Sequence, residues 1–212
     1  MDRPGKIDRH FLLLGGRPVE RSLGTGNNRR MLHRHDPTGV PASDEAASYY
    51  FKYIERIASA DIVSVLEAQF EHALAFFSTM PAEASTYRYA PDKWSVRQVL
   101  GHINDCERLF VSRAFWFARG FDSALPSFDQ EVCDAAAHAD RVDWADHVEE
   151  FRAVRLSTLA LFRNLPADAW SRRGVASGNP FSVRALAYIV AGHLDHHLAI
   201  IRERYVRPSG AR

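Results

Sequence analysis

Four stretches of the chain carry apolar residues at helical spacing. Between about Asp61 and Thr79, the residues Ile62, Leu66, Phe70, Ala73 and Phe77 step by four, four, three and four positions. That spacing lines one face of a helix. Asp61 is placed to cap it and Pro81 to stop it. A second stretch, about Val96 to Arg119, puts Val99, His102, Ile103, Cys106, Phe110 and Phe117 on one stripe. Ser95 and Gln98 make a capping-box pattern at its start, and Gly120 is placed at its end. A third, about Trp144 to Asn164, buries Val148, Phe151, Leu159 and Phe162, and Pro166 follows. A fourth, about Val183 to Tyr205, has Ser182 as N-cap and Leu186, Ile189, Val190, His193, His197 and Ile201 on one face. Strand-like alternation with turn pairs is absent. The pattern predicts an all-α four-helix bundle in which the four stripes bury one another.

The links between these helices bear on topology. Gly120 to Val142 is about 23 residues, whereas antiparallel bundle neighbours need only about 2–8. A link this long predicts a crossover, with the second and third helices running the same way. Part of it, Asp134 to His138, is predicted as an extra short helix. The link from Leu165 to Phe181 is also long, so length alone leaves the topology open. Residues 1–45 hold six of the 12 glycines and four of the 10 prolines, and no helical period survives there. This stretch is predicted to be a loosely ordered tail. The folded domain is expected over 46–207, with a short C-terminal tail, 208–212.

Histidines occur where the stripes should meet. His193 and His197 are four residues apart, so their rings project the same way, one turn apart. That spacing lets two imidazoles reach one metal ion. Taken alone it is a weak signal. An internal echo strengthens it: Trp94-Ser95-Val96-Arg97 opens the second helix, and Phe181-Ser182-Val183-Arg184 opens the fourth. His102 lies seven residues after its cap and His193 eleven after its own. The difference of four is about one turn, so both sit on nearly the same face relative to their caps. His102, His193 and His197 are therefore the candidate metal ligands. Buried imidazoles need partners, and a divalent cation suits three of them at once. Zn, Ni, Cu and Fe all accept neutral imidazole.

Other residues near these positions have blander readings beside the functional ones. Cys106, four after His102, is expected as a small buried thiol rather than a ligand. Asp105 and Asp195 are placed to orient ligand rings, though solvated helix acids are the commoner case. His196 points about 100° from the pair and is expected at the surface or behind a ligand ring rather than as a ligand. Arg155 interrupts the third stripe. It would meet an anionic substrate or snorkel at the stripe's edge. His72, His138 and His147 are given no role.

Composition narrows the function classes. The 212 residues are 46% apolar and 25% charged, with a net charge of +1. Nucleic-acid binding through phosphates usually needs a more basic, clustered surface. No apolar run approaches the roughly 20 residues of a membrane span. Phe11 to Leu14 is too short for the apolar region of a signal peptide. Two cysteines make no disulfide framework, which points to a reducing cytoplasm. A small-molecule substrate is the expected partner.

Two segments resemble a known family. Tyr87-Arg-Tyr-Ala-Pro-Asp-Lys-Trp-Ser-Val-Arg-Gln-Val-Leu-Gly-His102, continuing Ile-Asn-Asp-Cys-Glu107, resembles the second-helix signature of the DinB-like superfamily. Ser182-Val-Arg-Ala-Leu-Ala-Tyr-Ile-Val-Ala-Gly-His193-Leu-Asp-His-His197 resembles its fourth-helix signature. Leu125 to Gln130 is also similar to one branch. The resemblance covers about Tyr49 to Arg207. It implies an up-down-down-up four-helix bundle and a three-histidine site for a divalent metal, zinc or nickel first, on His102, His193 and His197. It also implies that a homodimer is a common state. Relatives include transferases that use a low-molecular-weight thiol. Two kinds of function follow. One is a metal-dependent enzyme that activates a small thiol, as a transferase, or water, as a hydrolase. The other is a non-catalytic metal- or small-molecule-binding stress protein.

Overall fold

The computed structural model of the chain describes residues 39–59 and 61–206. Most of the expected N-terminal tail, with His10, Met31, His33 and His35, lies outside these residues, as does the C-terminal tail. The described chain begins with a segment from Gly39 that packs on the domain. Glu45 is buried, and its carboxylate accepts hydrogen bonds from Ser182 Oγ (2.6 Å) and Arg184 Nε (3.1 Å). A short 3-10 turn, Ser48–Tyr50, leads into α1 (Phe51–Ile54).

The four long helices stand where the apolar periods place them. The first, α2 (Ile62–Thr79), is capped by Asp61, whose carboxylate accepts from the Ser64 N–H. It ends before Pro81, where the preceding residue is pushed to extended backbone. After α3 (Ala82–Ser85) comes α4 (Val96–Ala118), opened by the complete Ser95–Gln98 capping box. Gly120 follows it with φ of +81°, a conformation that glycine adopts freely. The crossover contains α5 (Gln130–Ala137), close to the short helix expected at 134–138. It feeds α6 (Trp144–Arg163). The last long helix, α7 (Val183–Ile200), is capped by Ser182 and ends in a wider π-type turn, Ile201–Tyr205.

The link between α6 and α7 corrects the expectation that strands are absent. It folds into a small antiparallel hairpin, β1 (Arg173–Ala176) and β2 (Asn179–Ser182). Ser177 and Gly178 both have positive φ, 52° and 73°. A two-residue turn with that geometry matches the twist of a tight hairpin. The Ser-Gly pair was the available signal, and two strands of four residues are too short to show alternation.

Side-chain pairings fix the directions of the helices. Trp144 at the start of α6 donates its indole N–H to Phe77 O and Met80 O at the end of α2, so these two run antiparallel. Asn104 meets His147, and Glu107 meets Arg155 and Thr158, so α4 and α6 run parallel. Gln69 bonds Ala191 O and Arg202 lies over Phe76, so α2 and α7 are parallel. His102 meets His193, and Trp94 O accepts from Tyr205, so α4 and α7 are antiparallel. The result is up-down-down-up with a crossover between the second and third long helices. The core between them includes Leu66, Phe77, Leu100, Phe117, Phe151, Phe162 and Leu186, all nearly inaccessible. Each contributes about 1.5–3 kcal/mol by leaving water.

Gly192 serves close approach. A Cβ there would overlap the Tyr53 backbone carbonyl. Its absence lets α1 lie directly on α7 beside the histidines.

Candidate metal centre

α4 and α7 bring the three predicted histidines together. His193 Nε2 lies 3.1 Å from His102 Nε2 and 3.1 Å from His197 Nε2. Among the described residues, the group able to hold a metal ion is His102, His193 and His197, with ligand atoms within 4.8 Å of one another. His102 and His193 are buried and His197 is partly so. The local sequence explains the meeting. His193 and His197 share one face of α7, and the antiparallel approach of α4 sets His102 opposite them.

Aromatic rings hold the imidazoles in place. Trp94 lies against His102 with ring centroids 5.0 Å apart. Tyr53 and Phe110 meet His193 edge-on at 5.3 and 6.0 Å. Lys52 lies over the Tyr49 and Tyr53 rings, with its nitrogen 3.6 and 4.8 Å from their centroids.

Burial sets the protonation. It pulls the His102 pKa down to about 4. It pulls that of His197 down to about 3, helped by the neighbouring His102 and His196. His193 falls well below the ordinary value through burial and then through its two partners. All three rings are neutral at pH 7, and each neutral imidazole has one lone pair. Each Nε2 carries either one proton or one lone pair, so His193 can bond one of its two neighbours but not both, and one nitrogen is left over whatever the tautomers. A cation at their meeting point satisfies every lone pair. Zinc–nitrogen bonds of about 2.0–2.1 Å at tetrahedral angles put ligand nitrogens about 3.3 Å apart. The two 3.1 Å separations from His193 fit that spacing.

The remaining residues near the site divide clearly. Cys106 Sγ lies 3.6 Å from His102 Nδ1 and 3.7 Å from its Nε2, but it is outside the group of converging atoms. Burial, then Asp105, pushes this thiol up to about 12, so it is no thiolate. Asp105 accepts from Cys133 Sγ and pairs with Arg108, and Asp195 pairs with Arg56. Neither acid is hydrogen-bonded to one of the three rings, which corrects their placement as ring orienters. His196 is half-buried against Tyr53 and stays outside the group. Arg155 neither meets a substrate nor snorkels: it is wholly buried and paired with Glu107 at 2.7 Å.

A cavity of about 270 Å³ opens beside the histidines. Its wall includes His102, His193, Tyr50, Tyr53, Phe128 and Arg113. The tyrosines of the α1 segment and Arg113 were not foreseen as site residues. Arg113 had a readable signal, since it lies eleven residues after His102, three turns along nearly the same face. The tyrosine segment had none, because its docking depends on Gly192.

A family model for the DinB superfamily matches residues 66–201. The chain belongs to the DinB superfamily. Among solved structures, this DinB protein is similar to YfiT from Bacillus subtilis, at 17% identity and a TM-score of 0.60. The likeness covers 78% of this chain and 91% of that one. YfiT is described as a probable metal-dependent hydrolase with an unusual four-helix bundle topology. A comparison with curated proteins finds no match. The shared fold agrees with the four-helix bundle described above.

Proposed function

We propose that this DinB protein is a metal-dependent enzyme that holds one divalent cation, zinc or nickel, on His102, His193 and His197. One observation carries the reading: three neutral Nε2 atoms converge beside a cavity with room for a guest. A structural metal site would be closed by a fourth protein ligand. No fourth Cys, Asp or Glu atom joins this group among the described residues.

The cation would supply Lewis acidity, which makes water or a thiol easier to deprotonate near neutral pH. The protein's own groups do the rest. The three histidines stay neutral because they are buried, so they present lone pairs rather than protons. Trp94, Tyr53 and Phe110 fix the ring planes and keep bulk water from the inner side. The aromatic cavity wall admits a small organic substrate. The description of YfiT favours water as nucleophile, and so hydrolysis. Transfer of a small thiol is the second reading. It would take a thiol from solution, since Cys106 lies outside the group of converging ligand atoms.

The test is a turnover screen on zinc- and nickel-loaded protein. Activated esters and amides probe hydrolysis, and electrophiles with several small thiols probe transfer. The proposal expects turnover in at least one arm and its loss in His102→Ala with an unchanged helical spectrum. Equal turnover in that variant contradicts it. Tight metal binding with no turnover in any arm would favour the stress-protein reading.

A further inference from the structure

The cavity beside the histidines contains a charge that the metal reading does not use. Arg113 is 2% exposed and forms part of the cavity wall with Tyr50 and Ser177. Its Nη2 donates to Pro126 O and to Ser177 Oγ, both at 2.9 Å. Both acceptors are neutral. Its Nε is buried with no hydrogen-bond partner. Burial lowers its pKa, the Tyr50 side chain hydrogen-bonds to it, and Cys106 is the other titratable group that acts on it. No carboxylate pairs with it among the described residues. The contrast with Arg155 is direct, since that equally buried guanidinium faces Glu107 at 2.7 Å.

A buried charge without a counter-ion is costly, and proteins normally pair it. Here the open side of the cavity is the place left for the counter-ion. We infer that Arg113 anchors the carboxylate of an elongated organic ligand whose other end reaches the three histidines. The far end of that ligand rests on the proposed metal centre; the arginine end does not.

Charge selects the group. A single guanidinium matches one carboxylate in charge and in fork geometry. Lys52 is turned to the faces of Tyr49 and Tyr53. A phosphate dianion would therefore be only half neutralised. Length follows from the helix. Eleven residues separate Arg113 from His102, about 16 Å along the axis. His102 leans the same way as Arg113, so the lean closes the gap only by the extra length of the arginine, and both side chains line the one cavity. The span left requires a stem of several bonds. Tyr50, Phe110 and Phe128 line the cavity and suit an apolar stem.

The test uses full-length protein and isothermal titration with hexanoate and its neutral match, hexanamide. Chelator-treated protein isolates Arg113 from any metal, and elemental analysis of untreated protein reports metal separately. Wild type is expected to bind hexanoate roughly tenfold more tightly than hexanamide, the worth of a charge-assisted hydrogen-bond pair. Arg113→Met should erase that preference and leave hexanamide binding unchanged, while Arg113→Lys should keep part of it. No preference in wild type overturns the inference, and this comparison needs no variant to fold. A preference that survives in Arg113→Met also overturns it. Inorganic phosphate binding more tightly than hexanoate overturns the carboxylate assignment. Untreated protein without metal that still shows the Arg113-dependent preference contradicts the metal centre and leaves the anchor standing. Metal-loaded protein without the preference does the reverse.

Discussion

Helix α4 builds two buried polar clusters, and they are opposites. Toward α6, Glu107 accepts from Arg155 Nη2 at 2.7 Å and from Thr158 Oγ1 at 2.7 Å. Toward α7, His102 meets two further imidazoles, so like faces like. The first cluster joins opposite charges, so its charge is balanced within the protein, while Arg155 Nε and Nη1 keep no hydrogen-bond partner. The second brings together three neutral rings of one kind, of which His193 can hydrogen-bond only one of the other two. Both are buried, and five residues on one helix separate them. A cluster whose charges balance within the chain serves the fold, whereas three like rings that converge beside a cavity leave a place for a cation.

Breaking the buried ion pair should do the most damage to stability and leave the histidines intact. Arg155→Met leaves Glu107 as an unpaired buried carboxylate and should cost about 3–5 kcal/mol in urea unfolding. Replacing Glu107 as well, Glu107→Gln with Arg155→Met, should recover much of that loss. Metal uptake should survive in both variants that fold. Lost uptake in the folded double variant would mean the clusters are not independent.

Metal should stabilise through the other cluster. Zinc at about 100 times its Kd should add about 2.7 kcal/mol to the wild type. Thermal melting reads this as a rise in Tm, and His193→Ala should show none. An equal rise in that variant would place the binding elsewhere.

Acid should act on the histidine cluster in metal-free protein. The folded pKa values of His102 and His197, about 4 and about 3, lie below the ordinary 6.5. The unfolded chain therefore binds more protons between those limits, and stability falls as pH drops below about 6.5. At pH 5 the loss should be about 2 kcal/mol for each of these two rings. His102→Phe should flatten part of the slope between pH 7 and 5. A slope unchanged by that substitution would contradict the assignment.

Cys106 should matter least. Cys106→Ala removes a small buried group and should cost about 1 kcal/mol, with zinc affinity unchanged. A large fall in affinity would make the thiol a ligand.

Much of this was legible in the sequence because α2, α4, α6 and α7 are long and strongly periodic. Their caps at Asp61, Ser95 and Ser182 were readable, and so was the convergence of His102, His193 and His197. The hairpin was not, because four-residue strands leave no period. Arg155 misled because a sequence shows a break in a stripe but not the Glu107 that fills it from another helix. The docking of Tyr50 and Tyr53 depends on a backbone approach that Gly192 permits, which no local pattern encodes.

X-ray absorption at the zinc edge of the loaded protein reads the ligand set itself. Three imidazole nitrogens are expected at about 2.0–2.1 Å, with at least one further light atom from outside the chain. A sulfur near 2.3 Å, or fewer than three imidazoles, would contradict that ligand set.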